Sequence, residues 1–345
     1  MQRVRIAVAG AGMIGQAHIK RILEVPQAEL AAIIDPSSKT TEQAKALGVP
    51  CFADLETGLQ AVRPDGVVIA TPNQLHVPNG LLAVQAGLPM LLEKPISDDV
   101  DSALKLVEAG EKAGVPILVG HHRRHSPLTQ TAREIVQSGR LGKITAVNGL
   151  CLFLKPRDYF EGPGSWRREP GGGIVLINLI HVIDDLRNIC GDIIGVQAAE
   201  SSAVRGFPVE DTAAMILHFA GGALGTLIIS DAANAPWSWE LTAGENKAYP
   251  HSDQFCYSVT GTAGSLTVPR LDVWSHEGDG WWTPIRVERQ VAPEQDPLTL
   301  QMRHFCQVIR GEAQPVLDGR GGIRTLETTL AVKTAARTGE MVRLS

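Results

Sequence analysis

The sequence predicts an α/β chain in two parts: a doubly wound parallel sheet, then an α+β region built on a large, mostly antiparallel open sheet. Three observations carry this. Roughly the first 120 residues alternate short apolar runs with helix-like segments, the order of a parallel sheet covered on both faces. The first apolar run flows straight into a glycine-rich turn, Gly10-Ala11-Gly12-Met13-Ile14-Gly15. Beyond Gly191 strand-like runs follow one another without helices between them, as in an antiparallel sheet.

In the first part, strands are expected at 5–9, 30–34, 66–69, 89–92 and 116–119, with helices at 14–24, 40–47, 55–62, 77–86 and 100–113. The opening strand, glycine turn, helix and second strand form the layout of a dinucleotide-binding Rossmann unit. Gly10 allows the tight turn, Gly12 lets backbone approach a pyrophosphate, and Gly15 lets helix and strand pack closely. Met13 and Ile14 open the helix whose N-terminal N–H groups and dipole favour that anion. Asp35, ending the second strand, is placed to accept hydrogen bonds from a ribose 2′-OH. Its charge disfavours a 2′-phosphate, so the expected cofactor is NAD rather than NADP. Ligands in such sheets bind outside the carboxyl ends of the strands. That directs attention to Thr71-Pro72-Asn73 with His76, and to Glu93-Lys94-Pro95.

In the second part, helices are expected at 128–138 and 174–189, and a strand at 144–154. A Pro-, Gly- and Arg-rich loop spans 156–173. Strands are then read at 195–203, 212–219, 225–231, 238–243, 255–260, 265–268 and 285–289, and two helices at 297–310 and 320–337. The expected boundary is 1–122 for the nucleotide-binding domain and 123–345 for a substrate-binding and oligomerisation domain, with C-terminal helices packing back on the first.

Composition narrows the function. The 345 residues, 44% hydrophobic, exceed one ordinary core. A formal net charge of −5 without a basic stripe argues against nucleic acid. No apolar stretch reaches the length of a membrane span, and no signal-peptide pattern precedes the first strand. Five scattered cysteines without a Cys-x-x-Cys pair fit a reduced, cytoplasmic protein with no structural metal.

Two residues stand out chemically. Lys94 follows a strand end and precedes a proline that restricts its backbone. A lysine there could hold a substrate oxygen, or be an ordinary solvated surface lysine. His181 lies in the apolar helix after Gly171-Gly172-Gly173, with Asp184 and Asp185 one turn on. An imidazole there suits proton transfer near neutral pH; the alternative is a structural histidine bonded to one of those carboxylates. His122, Arg123 and Arg124, following the last parallel strand, and Trp166 and Arg167, preceding the glycine run, are further candidates for substrate contact. Arginines pair with carboxylates and tryptophan faces stack on sugars.

Together, the glycine loop, Ala70-Thr71-Pro72-Asn73 with His76, Glu93-Lys94-Pro95, 120–124, the glycine run leading to His181 and Asp184, and 261–266 resemble the glucose–fructose oxidoreductase / inositol dehydrogenase (Gfo/Idh/MocA) family over nearly the whole chain. The resemblance implies hydride transfer between a nicotinamide and a hydroxyl-bearing carbon of a sugar, sugar acid, cyclitol or related ring. It implies Lys94 as active-site lysine and His181 as general acid/base. With the two-sided apolar patterning of the later strands, it implies a homodimer or homotetramer. Many polyol-oxidising members carry an aspartate four residues before the histidine; here that position is Ile177, with Asn178 beside it. The alternatives are a cis-dihydrodiol dehydrogenase of an aromatic acid, transient oxidation during glycosidic cleavage, and a non-catalytic NAD-binding regulator.

Overall fold

The computed structural model describes residues 2–278 and 280–344, with backbone only at 163. The chain forms two compact units, Met1–His125 with Asp296–Leu326, and Ser126–Gln295 with Glu327–Ser345. The division thus differs from a single cut at 122/123 by returning 296–326 to the first unit.

The first unit runs β1 (Val4–Ala9), α1 (Met13–Glu24), β2 (Ala28–Ile34), α2 (Ser38–Leu47), β3 (Cys51–Phe52), α3 (Leu55–Val62), β4 (Gly66–Ile69), α4 (His76–Gln85), β5 (Met90–Leu92), α5 (Val100–Ala113) and β6 (Ile117–Val119). Its six strands are parallel, ordered β3-β2-β1-β4-β5-β6. The apolar runs of the central strands are covered on both faces: Ile6, Val8, Val67, Val68, Ile69, Leu91 and Leu92 are inaccessible to solvent. The order reverses between β1 and β4, and the glycine turn lies at the carboxyl end of β1.

The second unit contains α6 (Pro127–Gln137), β7 (Ile144–Leu152), α7 (Ile180–Cys190), β8 (Ile193–Ser201), β9 (Thr212–Phe219), β10 (Leu224–Ser230), α8 (Trp239–Thr242), β11 (Tyr257–Gly261), β12 (Ser265–Val268), β13 (Asp272–His276) and β14 (Ile285–Arg289). After α9 (Pro297–Ile309) and α10 (Gly319–Thr338), β15 (Val342–Arg343) closes a nine-stranded sheet. Its order is β14-β13-β12-β11-β7-β10-β9-β8-β15, antiparallel except where β10 runs parallel to β7. Alternation along β9 buries Ala213, Met215, Leu217 and Phe219 and leaves Ala214 and Ile216 outward. The buried face packs on Val182, Ile183, Leu186 and Ile189 of α7, and on Ala331, Val332 and Ala335 of α10.

Three readings from sequence need correction. Residues 238–243 are not a strand: Ser238 precedes one helical turn, and so short an apolar run carries no decisive period. The helix expected at 174–189 opens as a π-helix, Val175–Leu179, before α7 proper, so face-counting at 3.6 residues per turn does not hold across its start. The polar strand β13, next to the edge strand β14, and the two-residue strands β3 and β15 had too little apolar pattern to be read.

α9 belongs to the first unit. Its Met302, Phe305 and Cys306 join the core formed by Val4, Ile6, Ile19 and Ile22, and Arg21 of α1 donates to Asp296 at 2.5 Å.

Candidate active site

Two glycines of the turn, Gly10 and Gly15, are sterically required. Gly10 adopts φ +88°, and a Cβ there would lie 2.4 Å from Ala70 O. A Cβ on Gly15 would lie 2.0 Å from Gly10 O, so helix and strand could not pack so closely. Around Gly12 a Cβ would meet nothing within 4 Å, and Gly12 caps α1 without any side-chain bond. The start of α1 is thus open backbone, with Met13 81% exposed and Ile14 partly exposed beside it. This cradle fits the pyrophosphate of a dinucleotide. Asp35 holds the loop: Oδ2 accepts from Ala11 N at 2.9 Å, and Oδ1 from Ser37 N at 2.9 Å and Thr40 Oγ1 at 3.3 Å. A carboxylate has lone pairs for a further donor.

The loops after β4 and β5 are tied together. The buried His76 ring sets Nε2 2.9 Å from Thr71 O and Nδ1 2.7 Å from Pro95 O. Burial lowers its pKa, against the pull of those carbonyls. His76, expected at the cofactor, has its ring nitrogens committed to joining the loops. Thr71 also accepts from Asn79 at 3.2 Å, while Pro72 and Asn73 lead into a short 3₁₀ turn.

Beneath Lys94 lies a pair that sequence reading missed. Glu93, 5% exposed, places Oε1 2.8 Å from Nε2 of the fully buried His18, and Oε2 accepts the Lys94 backbone N–H at 3.2 Å. Burial alone would raise the Glu93 pKa. The His18 hydrogen bond and charge, with Lys94 and His122, outweigh it and hold the carboxyl below its usual range. His18 shares a buried helical stripe with Gly15, Ile19 and Ile22, and an imidazole in such a stripe was the available signal. Lys94 is partly exposed between buried Glu93 and buried Pro95.

Residues 122–125 form a 3₁₀ turn after β6. Desolvation, then the Arg123 charge, pushes His122 down to about 3. Arg123 is buried and Arg124 partly exposed. His125, also lowered to about 3 by burial and then by His304, sets Nε2 2.8 Å from Nδ1 of His304.

In the second unit, the glycine run seats the start of the π-helix. Gly173 has φ +81°, and a Cβ there would lie 2.4 Å from Glu210 Oε1. Glu210 needs that space, because Oε1 accepts Val175 N at 2.9 Å and Oε2 accepts Lys333 Nζ at 2.7 Å. A carboxylate at a helix N-terminus is favoured by the backbone dipoles. Along the following helix, 174, 175, 179, 180 and 182–189 are buried, whereas 176, 177, 178 and His181 keep partial exposure. Asn178 and His181 therefore share the accessible stripe. Asp185 accepts a hydrogen bond from Tyr257 at 2.9 Å, and Asp184 is buried.

Sequence reading also missed Lys155, which follows β7. It is 7% exposed and donates to Asn178 Oδ1 at 2.6 Å, with Asp231 Oδ2 at 3.5 Å. Its Nζ lies over the rings of Tyr159 (4.7 Å) and Phe153 (5.5 Å). Burial lowers its pKa, and Asp231 opposes this. Arg205 Nε donates to the other oxygen of Asp231 at 2.7 Å. Arg167 donates to Tyr159 O at 2.9 Å, its guanidinium 4.1 Å from the Tyr159 ring centre and 5.2 Å from that of the exposed Trp166. Only the density of cationic residues near 155–168 hinted at this cluster. Among the described residues no group of three or more His, Cys, Asp or Glu is placed to hold a metal ion, and no helix is long and apolar enough to cross a membrane.

A parallel sheet of this order, with the glycine cradle at its switch point and a large, mostly antiparallel sheet in the same chain, defines an NAD-binding α/β oxidoreductase fold. The chain belongs to the Gfo/Idh/MocA family: residues 4–121 match "Oxidoreductase family, NAD-binding Rossmann fold", and residues 129–267 match "GFO/IDH/MocA C-terminal domain". It is 38% identical over 151 residues to inositol 2-dehydrogenase of Corynebacterium glutamicum (strain R), a match spanning 43% of this chain and only 45% of that protein. Identity to inositol 2-dehydrogenase of Arthrobacter sp. (strain FB24) is 30% over 250 residues, 70% of each chain. Among solved structures, the WlbA dehydrogenase from Bordetella pertussis, in complex with NADH and UDP-GlcNAcA, aligns with a TM-score of 0.82 over 100% of this chain and 99% of that one, at 25% identity.

Proposed function

We propose that the protein is an NAD-dependent dehydrogenase acting reversibly on a hydroxyl-bearing carbon of a sugar, sugar acid, cyclitol or related polyhydroxylated ring. The observation that carries this is the setting of Lys94. Its side chain is partly exposed at the carboxyl end of β5 while its backbone is pinned by buried Glu93, in a unit whose glycine cradle fits a dinucleotide. The relatives support the reading, being inositol 2-dehydrogenases and a dehydrogenase complexed with NADH and UDP-GlcNAcA.

In this reading the backbone of Gly10, Gly12, Met13, Ile14 and Gly15 holds the pyrophosphate, and Asp35 the adenosine ribose. Thr71, Pro72, Asn73 and Glu93 border the rest of the cofactor, with His76 fixing their loops. Bound NAD supplies the hydride acceptor. His181 takes the hydroxyl proton, and Lys94 holds the oxygen and favours its developing negative charge. Asn178, His122, Arg123, Arg124, Trp166 and Arg167 contact or orient the substrate. The same reading places the enzyme in the cytoplasm as a homo-oligomer joined through the second unit's sheet.

The test is NADH absorbance with a panel of sugars, sugar acids and cyclitols. His181→Ala should slow the chemical step about 10²–10⁴-fold with NAD affinity unchanged, and Lys94→Ala should be at least as damaging. Near-normal turnover in His181→Ala would return His181 to a structural role. No turnover with any panel member would remove the dehydrogenase reading.

A further inference from the structure

The bond between Lys155 and Asn178 determines which hydrogen-bonding groups the helix offers. A lysine ammonium has three donors and no acceptor, so the amide atom 2.6 Å from Nζ is oxygen. With Oδ1 committed, Asn178 carries its two N–H donors on the other prong of the amide. Lys155 is not able to swing away, because Asp231, Tyr159 and Phe153 surround its head, and Asp231 is itself held by Arg205. Of the partly exposed positions 176, 177, 178 and 181, Asn178 and His181 are the two with polar side chains, Leu176 and Ile177 being apolar.

Chemistry then separates two classes of ring compound. A neutral polyol presents hydroxyls, each needing an acceptor for its proton. On this stripe the amide oxygen already holds the Lys155 ammonium on one lone pair, which weakens it as an acceptor for a hydroxyl, and the side chain at 177 is apolar. A carboxylate presents acceptors alone and bears a charge. It matches the Asn178 N–H pair with Lys155 behind it and Arg167 stacked on the same tyrosine ring. Charge-assisted bonds of this kind are about twice as strong as neutral ones.

We propose that Lys155 is a specificity-determining positioning residue: by holding Asn178 as a donor, it makes the site select a substrate bearing a carboxylate, a sugar acid, over its neutral counterpart. The proposal rests on the reading that Asn178 and His181 face the substrate, and it names the substrate class within that reading.

The experiment is equilibrium titration of the full-length protein saturated with NADH, following cofactor fluorescence. The probes are matched pairs: D-glucuronate with D-glucose, D-galacturonate with D-galactose, and D-gluconate with D-glucitol. In at least one pair the acid should bind about tenfold or more tighter, the ratio a charge-assisted hydrogen bond supplies. Lys155→Met should bring that ratio toward one. Asn178→Asp, at a partly exposed position, should reverse it and carries the test if Lys155→Met fails to fold. Equal or tighter binding of the neutral member in every pair, no binding of any acid, or an unchanged ratio in the folded variants would overturn the proposal. Turnover of the same probes is measured separately. Acid binding without oxidation would leave this proposal standing and overturn the dehydrogenase reading. Oxidation of neutral sugars without acid preference would do the reverse.

Discussion

Nε2 of His18 lies 2.8 Å from Oε1 of Glu93, joining the first helix of the nucleotide-binding unit to the residue immediately before Lys94. The other carboxylate oxygen receives the Lys94 backbone N–H, so His18 and the Lys94 backbone hold one carboxylate from its two oxygens. Gly120 leaves this carboxylate its place, since a Cβ there would stand 2.9 Å from Glu93 Cδ and Oε1.

Removing the imidazole should therefore be costly. His18→Ala strands a buried carboxylate, and breaking a buried pair costs about 3–5 kcal/mol. Urea unfolding should show a lower midpoint. His18→Gln, which keeps a donor, should recover part of both stability and turnover. A midpoint for His18→Ala equal to wild type would show that Glu93 does not need this partner.

Mild acid should destabilise the first unit. His122 and His125 titrate near 3 when folded, against about 6.5 in an unfolded chain. Between those values the unfolded state binds more protons, so their contribution is present above about pH 6.5 and is lost progressively as pH falls toward 3. Glu93 adds a later loss: its depressed carboxyl stabilises above the ordinary glutamate value and ceases to do so as pH falls below it. Urea midpoints at neutral pH and near pH 5 should differ, and His125→Gln should flatten the dependence. A flat profile across that interval would contradict the histidine assignment.

Asp35 should set cofactor choice. Because it also accepts Ala11 N–H and Ser37 N–H, the cleaner substitution is Asp35→Asn, which keeps an acceptor. Loss of a charged hydrogen bond to the ribose should weaken NAD by roughly tenfold or more and narrow its advantage over NADP. Wild-type protein that uses NADP at least as well as NAD would refute the assignment.

The outward face of the second unit's sheet should mediate self-association. Ile216 and Ile228, 43% and 37% exposed, line a shallow depression of about 470 Å³ with Asn148, Ala214 and Thr226. Exposed apolar patches of this kind mark interfaces. Light scattering should give a dimer or tetramer, and Ile216→Lys with Ile228→Lys should reduce it to monomer. A monomeric wild-type mass at micromolar concentration would end this reading.

What could be read from sequence was local. The parallel strands other than the two-residue β3 were legible because short buried apolar runs between glycine and proline signals need only a few adjacent residues to be recognised. Helix 100–113 was legible to the residue, capped by Asp99 at one end and by Gly114 in the left-handed region at the other. Strand β13 was not: Asp272, Ser275 and His276 break its pattern, and Asp272 is held by the nearby Arg270 and by Arg289, which only the pairing of β13 with β14 brings near.

The sequence by itself determined the α/β order, the glycine cradle with Asp35, and the positions of Lys94 and His181. Period, left-handed glycines and strand-end turns are properties of neighbouring residues. Only the tertiary structure decided how those residues are held and what they offer. His18 meets Glu93 across 75 residues of chain, through the crossovers that bring α1 over the end of β5. Lys155 meets Asn178 and Asp231 because three separate segments converge at the ends of β7, β10 and the π-helix. A lysine or histidine in a sequence is an expected surface cation or a spare imidazole until the fold removes its water. Which partner replaces that water is set by packing between distant segments, and no local pattern records it.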